Sequence, residues 1–268
     1  MTDAEKSAFI DAELCLMSSP TKLNIEGALN RWDELVYVHI AQSNFIHSVT
    51  ECDYTGGHPY WYESLDVGAL NASSVFDPDT GFGGEGDDCV NDGPFKHLRL
   101  HINQTSTQDD SCLHRSFDPE SFLLAGDEYV DACMETDNYE DAWNCFIENP
   151  HVAGHFGVGG TMRDVVASPG DPLFFLHHTN LDRLWWEWQS ANLTSRLYAI
   201  SGTNIPDQAY LDENDFEFPS AALRDYDGDP GNVTTLNHVL WMGGVVPNAT
   251  VGEVMDLHGE RNCAEYVY

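Results

Sequence analysis

The most informative part of the sequence is His151-Val-Ala-Gly-His155, followed by Asp171-Pro-Leu-Phe-Phe-Leu-His177-His178-Thr-Asn-Leu-Asp182. Residues four apart on a helix lie one turn above each other, so His151 and His155 present their ring nitrogens on the same side. A third imidazole then has to come from another helix, and His178 is the candidate. The pattern predicts three imidazoles around one metal ion.

The helix that carries His178 is predicted over residues 171–190. Ser168-Pro-Gly-Asp-Pro172 is typical of a turn that leads into a helix. Four residues recur behind it at three- and four-residue steps: Phe174, His178, Leu181 and Trp185. His177 points about 100° away around the helix, which favours a supporting or packing role for it. Imidazole ligands suit copper, zinc, iron and nickel, so the spacing alone does not choose the metal.

Two simpler interpretations compete with a metal site. A His-x3-His pair arises by chance in a chain with 12 histidines. A zinc protease motif would need Glu directly after the first histidine, and this chain has Val152 there. The protease interpretation is therefore excluded.

The longer context carries a family resemblance. The segment from His151 to Gly160, with Asp171-Pro-Leu-Phe174 and Asp182-Arg-Leu-Trp-Trp-Glu-Trp-Gln189, resembles the second copper-binding region of the tyrosinase and polyphenol oxidase family, in particular its short secreted fungal members. The resemblance extends to both ends of the chain. It is carried there by Gly27 to His39 (the helix of the first copper ligand), Ile46-His47 (the second ligand), Pro59-Tyr-Trp61 (a structural motif) and Tyr266-Val-Tyr268 (the tyrosine motif that closes the core domain).

The first copper region departs from the family pattern. In the family, Phe-x-x-Trp-His-Arg follows the second ligand, opens a long helix and supplies the third ligand. Here His47 is followed by the segment Ser48 to Gly56, which resembles the sequence normally found after that helix. Roughly a 20-residue helix, about 30 Å long, is missing near residues 48–52. Two histidines could substitute for the missing ligand, but His58 lies in a turn-like sequence and His101 in a strand-like one, and neither restores the missing helix.

The gap has two interpretations. A skipped exon or misplaced intron boundary would explain it as an error in the translated gene, whereas a degenerate member would have lost oxygen chemistry. We favour the first, because the junction is abrupt and the surrounding motifs are intact. Genomic DNA at the codons for His47 to Cys52 distinguishes them: a Trp-His-Arg coding stretch nearby indicates an error.

The resemblance implies a mainly α fold: a helical bundle that holds a dinuclear copper site, with long loops, few short strands and one bundle helix deleted. It implies a single domain over residues 1–268. It also implies oxidation of o-diphenols to o-quinones with dioxygen, with ortho-hydroxylation of monophenols as a further reaction. A copper-binding or oxygen-carrier-like protein without turnover is the alternative. The implied copper ligands are His39, His47, His151, His155 and His178, which complete the second site and leave the first incomplete.

The resemblance also suggests residues around the copper. Many hydroxylating relatives have Asn where this chain has Val152, which favours diphenol oxidation here. Phe156, Val165 and Phe174 are candidates for contact with the aromatic substrate, although ordinary core packing explains them equally well. Asp182 lies four residues after His178 and is a candidate to support the copper site by a hydrogen bond; a salt bridge with Arg183 or another cation is the alternative.

Charge, cysteine content and glycosylation sequons indicate which partners and which cellular compartment to expect. The net charge of −34, from 45 acidic and 11 basic residues, argues against nucleic acid or an anionic membrane as a partner. No run is long and apolar enough for a membrane helix, and residues 1–20 lack a signal sequence, so we expect a lost leader and a truncated N-terminus. Seven cysteines without a Cys-x2-Cys pattern favour disulfides, with one cysteine left over. Secretion is also favoured by five glycosylation sequons, at Asn71, Asn103, Asn192, Asn232 and Asn248.

Periodicity predicts further helices at about residues 4–18, 26–43 and 139–150. The first begins with a capping box, Thr2-Asp-Ala-Glu5. On the second, an apolar stripe consists of Leu29, Trp32, Val36 and His39. His39 alone would more often be a core histidine; its place in the family motif makes it a candidate ligand.

Overall fold

The computed structural model describes residues 1–41, 56–86, 88–102, 110–203, 208–213 and 233–268. Within these ranges the α-helices are α1 Asp3–Ser18, α2 Arg31–Ala41, α3 Asp127–Met134, α4 Tyr139–Phe146, α5 Val152–Val158, α6 Leu173–Ser190, α7 Leu193–Arg196, α8 Gln208–Glu213 and α9 Val251–Val254. Two-residue strands form antiparallel pairs, β1 Arg99–Leu100 with β2 Ser111–Cys112 and β3 Val239–Leu240 with β4 Ala249–Thr250. The prediction of a mainly α fold with few short strands is confirmed.

The chain divides into two compact units. One consists of Met1–Cys133 and Cys145–Leu184, and the other of Met134–Asn144 and Trp185–Tyr268. All the histidines discussed below, apart from His47, lie in the described part of the first unit. A single domain over residues 1–268 stays a prediction.

The first two helices begin where side chains cap them. Thr2 and Glu5 form the predicted capping box of α1. Helix α2 begins at Arg31 rather than at residue 26, because Asp33 accepts from the Asn30 amide at 3.1 Å while Asn30 accepts from the Asp33 amide at 2.9 Å. Leu29 therefore lies outside the helix and is 66% exposed, so the predicted stripe was wrong at that residue.

The helix predicted at 139–150 continues into α5 through a π-helical turn, Ile147–His151. This turn contains Pro150, which has no amide hydrogen to donate to the preceding turn. A wider π turn accommodates such a residue, and π turns are frequent at functional sites. His151 is the last residue of this turn and His155 lies inside α5.

Helix α6 is anchored at its start by a buried ion pair. The Arg115 guanidinium donates to both carboxylate oxygens of Asp171, at 2.7 and 2.8 Å, and neither side chain is exposed. Asp171 also accepts from the Leu173 amide at 3.0 Å and so caps the helix. Arg115 donates further to the carbonyls of Phe82 and Gly83. The position of His177 and His178 along α6 is thus tied to two distant loops.

A short 3₁₀ turn, Glu63–Asp66, packs beside α6. The Trp61 amide donates to the Leu176 carbonyl of α6 at 3.1 Å. The Trp61 indole and the Ser73 hydroxyl both donate to Asp66, at 2.7 and 2.6 Å. These bonds fix the turn that carries Glu63 against the helix that carries His177.

Disulfides confirm part of the cysteine prediction. Cys89 pairs with Cys112 and Cys133 with Cys145, and Cys15 is also disulfide-bonded. Among the described cysteines, Cys263 is free and exposed. In the part of the chain that the structure describes, none of the helices has the length and apolar character needed to span a bilayer.

Candidate metal centre

The three imidazoles predicted to share a metal lie together, as the spacing required. The ring centroids of His151 and His155 are 4.6 Å apart, and that of His178 lies 5.5 Å from the first and 5.3 Å from the second. His177 joins the group, and the four residues offer nitrogen atoms that all lie within 4.8 Å of one another. The π turn, α5 and α6 supply these side chains.

The nitrogen separation fits coordination of one ion. The Nε2 atoms of His155 and His178 are 3.2 Å apart. Two nitrogens that each lie about 2.0 Å from a shared ion at a tetrahedral angle are separated by about 3.3 Å. The pair is therefore already spaced as two ligands of one metal.

Backbone carbonyls fix which ring nitrogen of His155 and of His39 carries the proton. The Nδ1 of His155 donates to the Met162 carbonyl at 2.6 Å, and the Nδ1 of His39 donates to the Val166 carbonyl at 3.2 Å. A carbonyl oxygen only accepts, so in each ring Nδ1 carries the proton and Nε2 keeps its lone pair. This is the arrangement that a metal-binding histidine needs.

Burial keeps the cluster neutral. Desolvation, and then the neighbouring His177, lowers the pKa of His151 to about 4 and that of His155 to about 2. The same two causes hold the pKa of His178 well below its ordinary value. Because only neutral imidazole coordinates a metal, these rings are available as ligands at neutral pH.

His177 is held between α5 and α6, among the other three imidazoles of the cluster. It is fully buried, and its Nδ1 shares a 2.5 Å hydrogen bond with Oε1 of Glu63. A Cβ at Gly154 would lie 2.2 Å from that Nδ1, so only glycine leaves room for the ring between His151 and His155. Burial also lowers the pKa of His177, to about 3.

Glu63 is the residue that sequence reasoning missed. It is 1% exposed, it accepts from the Asn180 amide nitrogen at 3.3 Å, and burial raises its pKa well above the ordinary value. Asn180 in turn accepts from the Arg183 guanidinium at 3.0 Å. The only signal was the position of Glu63 just after Pro59-Tyr-Trp61, the motif interpreted as structural.

The first copper region is represented in the described residues by His39. His39 is buried beside Phe174, whose ring centroid lies 4.8 Å from that of His39 and 4.0 Å from that of His178. The charge of a protonated His39 would also be felt at His155 and His178, where it contributes to lowering both pKa values. The helix that carries His39 thus reaches the cluster. His47 and residues 48–52 lie outside the described residues.

The two substitute histidines have other contacts. His58 shares hydrogen bonds through Nδ1 with Thr179 and with the Pro59 carbonyl, both at 3.0 Å. His101 follows β1 directly, and its Nδ1 lies 3.1 Å from both carboxylate oxygens of Asp33. The structure does not bring either ring into the imidazole cluster.

The residues predicted to surround the copper differ in exposure. Phe174 is 2% exposed, whereas Val165 is 78% exposed on the loop after α5. Val152 and Phe156 are half-buried, and the Arg163 guanidinium lies over the Phe156 ring at 4.6 Å. Asp182 is exposed one turn beyond His178. Their roles toward substrate and metal stay predictions.

Comparisons with known proteins find a matching family model and relatives that align with nearly the whole chain. The common central domain of tyrosinase matches residues 36–191. Tyrosinase ustQ of Aspergillus flavus is 29% identical over 99% of this chain and 77% of its own length. The N-acetyl-6-hydroxytryptophan oxidase ivoB of Emericella nidulans is 28% identical over 99% of this chain and 90% of its own length.

A solved structure shows the same fold. The polyphenol oxidase of Thermothelomyces thermophila superimposes with a TM-score of 0.77 at 22% identity, covering 100% of this chain and 87% of the other. The central-domain match contains His39 at one end and the whole imidazole cluster at the other. This chain belongs to the tyrosinase family of oxidoreductases.

Proposed function

We propose that His151, His155 and His178 hold copper and that the site supports oxidation of o-diphenols to o-quinones by dioxygen. The observation that carries the proposal is the 3.2 Å approach of the Nε2 atoms of His155 and His178. Both rings are neutral, desolvated and beside a third imidazole in a tyrosinase-family chain. Imidazole ligands suit copper.

Bound copper supplies the electron-transfer chemistry with dioxygen that no side chain provides. The residues of this chain would orient the metal and keep water away from it. Each o-diphenol loses two electrons and two protons, and two such molecules reduce one dioxygen to two waters. Phe174 and His177 are buried against His178 and His155, and would keep water away from those imidazoles.

The substrate we propose is a diphenol rather than a monophenol. Hydroxylation of a monophenol needs a group that accepts the phenol proton. Val152, which follows the first ligand, has no polar atom with which to orient such a base. Val165 and Phe156 offer apolar contacts to an aromatic ring. Relatives with names as different as tyrosinase and N-acetyl-6-hydroxytryptophan oxidase indicate that the ring substituents vary within the family.

A second candidate function is copper binding without turnover. The observation that favours it is the sequence after His47, which lacks the family's Trp-His-Arg segment. The alignment with the tyrosinase-like protein phomQ1 of Diaporthe leptostromiformis extends over 311 positions, more than the 268 residues of this chain. That relative therefore has residues at positions where this chain has none, as either a deletion here or an insertion there would produce.

We also propose that the protein is secreted. Among the described sequons, Asn71, Asn192 and Asn248 are exposed and can accept a glycan. The disulfides are expected in an oxidising compartment. Mass spectrometry of the protein from its native source, before and after enzymatic deglycosylation, tests this proposal.

The two functions are separated by oxygen uptake and copper content. Oxygen consumption with catechol would be recorded for the copper-loaded full chain, with His155→Ala as the inactive control. Uptake that depends on His155 supports the oxidase. Bound copper without uptake supports the second candidate, and the absence of bound copper refutes both.

A further inference from the structure

One loop accepts hydrogen bonds from imidazoles of both copper regions. Met162 and Val166 lie at the two ends of the segment 162–166, which we refer to as the strap. The Met162 carbonyl accepts from His155 at 2.6 Å, and the Val166 carbonyl accepts from His39 at 3.2 Å. The strap therefore sets the ring orientation of one candidate ligand from the second region and of one from the first.

One side chain makes two of the four hydrogen bonds that shape the strap, and its backbone makes the other two. The Oδ1 atom of Asp164 accepts from the amides of Val166 and Ala167, both at 2.9 Å. The Asp164 carbonyl accepts from the Ser168 amide, also at 2.9 Å, and the Asp164 amide donates to the Thr161 carbonyl at 3.2 Å. These bonds curl the chain around Asp164 and turn the Val166 carbonyl toward His39.

Asp164 holds this geometry from the surface of the molecule. It is exposed, so its replacement leaves the core intact. Its neighbour Val165, also in the strap, is 78% exposed. The segment that orients the imidazoles is thus also the segment that presents a candidate substrate contact.

We propose that Asp164 is a positioning residue for both copper regions. By fixing the strap, Asp164 keeps the Met162 carbonyl on Nδ1 of His155 and the Val166 carbonyl on Nδ1 of His39. Each ring then directs its Nε2 toward the metal. The same bonds hold Val165 in place. The inference deepens the proposed function and rests on it. It also implies the reverse effect, since metal binding at the imidazoles must stabilise the strap by the same free energy.

The test compares three variants of the full chain, with zinc as a redox-inactive probe. Asp164→Ala removes the acceptor, whereas Asp164→Asn removes the charge but keeps an oxygen that can accept both amides. Asp77→Ala is the matched control, because Asp77 accepts from the amides of Asp79 and Thr80 at 2.9 and 2.8 Å in a turn away from the cluster. Affinity would be measured by competition with a chelator.

We expect Asp164→Ala to weaken zinc binding about tenfold, as is typical when a partner of a ligating histidine is lost. Asp164→Asn restores most of that loss, and Asp77→Ala leaves the affinity unchanged. Equal losses in Asp164→Ala and Asp77→Ala would mean general destabilisation and overturn the inference. Wild-type affinity in Asp164→Ala would overturn it as well.

A second readout needs no metal. The ¹⁵N resonances of the His39 and His155 rings report which nitrogen carries the proton. In the metal-free chain we expect both rings to be protonated on Nδ1, and Asp164→Ala to move them toward a mixture of tautomers. Unchanged ring signals overturn the strap inference. If the wild-type chain binds neither zinc nor copper, the proposed function fails, and the ring signals still decide the role of Asp164.

Discussion

The two copper regions differ in how many side chains and backbone groups hold each imidazole in place. The second region contains His151, His155 and His178, and the first contains His39. The second region has four buried or half-buried imidazoles, a buried carboxylate and an ion pair at the start of α6. In the described residues, the first region has His39, the Val166 carbonyl and the Phe174 ring. Because several elements hold the imidazole cluster in place, we expect it to tolerate the helix deletion that the sequence predicts near residues 48–52.

Removing one candidate ligand from each region should give the largest difference in metal affinity. We expect His155→Ala to abolish metal binding at the cluster, with a loss of affinity beyond the roughly 10- to 100-fold cost of losing a supporting partner. His39→Ala should change the affinity of the first bound ion less than about threefold, because the second region keeps its three ligands. Chelator competition measures both.

His101→Ala serves as the control, since that ring contacts Asp33 and lies outside the cluster. An equal loss of affinity in the His39 and His155 variants would show that the first ion is shared between the two regions. That result would contradict the prediction that the second region binds its ion independently of the first.

The anchor of α6 should show the next largest effect. Arg115→Ala leaves the Asp171 carboxylate buried without its partner, which costs about 3–5 kcal/mol of unfolding free energy. Arg99→Ala is the matched control, because its pair with Asp110 is exposed and contributes at most about 1 kcal/mol. Urea denaturation of the metal-free variants provides the values. Similar costs for the two arginines would contradict a special role for the anchor.

The close packing of His177 against Gly154 predicts a loss of stability smaller than that of Arg115→Ala. In Gly154→Ala the new methyl group would meet the imidazole, so we expect about 1–3 kcal/mol of destabilisation despite the better helix propensity of alanine. Gly57→Ala has open space around its Cβ and should be neutral or slightly stabilising. Thermal unfolding compares them. A Gly154→Ala variant as stable as Gly57→Ala would show that the ring moves away freely.

Acid should destabilise the metal-free second region through its imidazoles. Folding lowers the pKa of His155 from 6.5 to about 2. At a pH below 6.5, this imidazole is therefore protonated in the unfolded chain but stays neutral in the folded chain. Between about pH 7.5 and 5.5 this imidazole alone removes about 1.4 kcal/mol of unfolding free energy. His155→Gln should lose correspondingly less over that interval. Urea unfolding at both pH values tests the sign, and equal pH dependence contradicts it.

The sequence could predict the parts of the second region that repeat along a helix. The spacing of His151 and His155 and the stripe on α6 depend on local periodicity, which a sequence displays directly. The helix start at Arg31 was also readable, since Asn30 and Asp33 stand three apart as a capping pair does. The predicted helix nevertheless began too early, because Leu29 fits the helical period of the apolar stripe.

Other parts of the site could not be predicted. Glu63 reaches His177 across 114 residues of sequence, from a short turn with no periodic signal. The carbonyls of Met162 and Val166 are backbone atoms, which every residue has, so no residue type marks them. The need for glycine at position 154 becomes visible only when the His177 ring is placed against α5.

Whether His151, His155 and His178 hold one copper ion is decided by the coordination shell of copper in the full chain loaded with one equivalent. X-ray absorption at the copper edge counts the nitrogen neighbours and recognises imidazole rings by their outer-shell scattering. We expect three imidazole nitrogens at about 2 Å, with one fewer in any copper retained by His155→Ala. A shell dominated by oxygen, or the same imidazole count in wild type and variant, would contradict it.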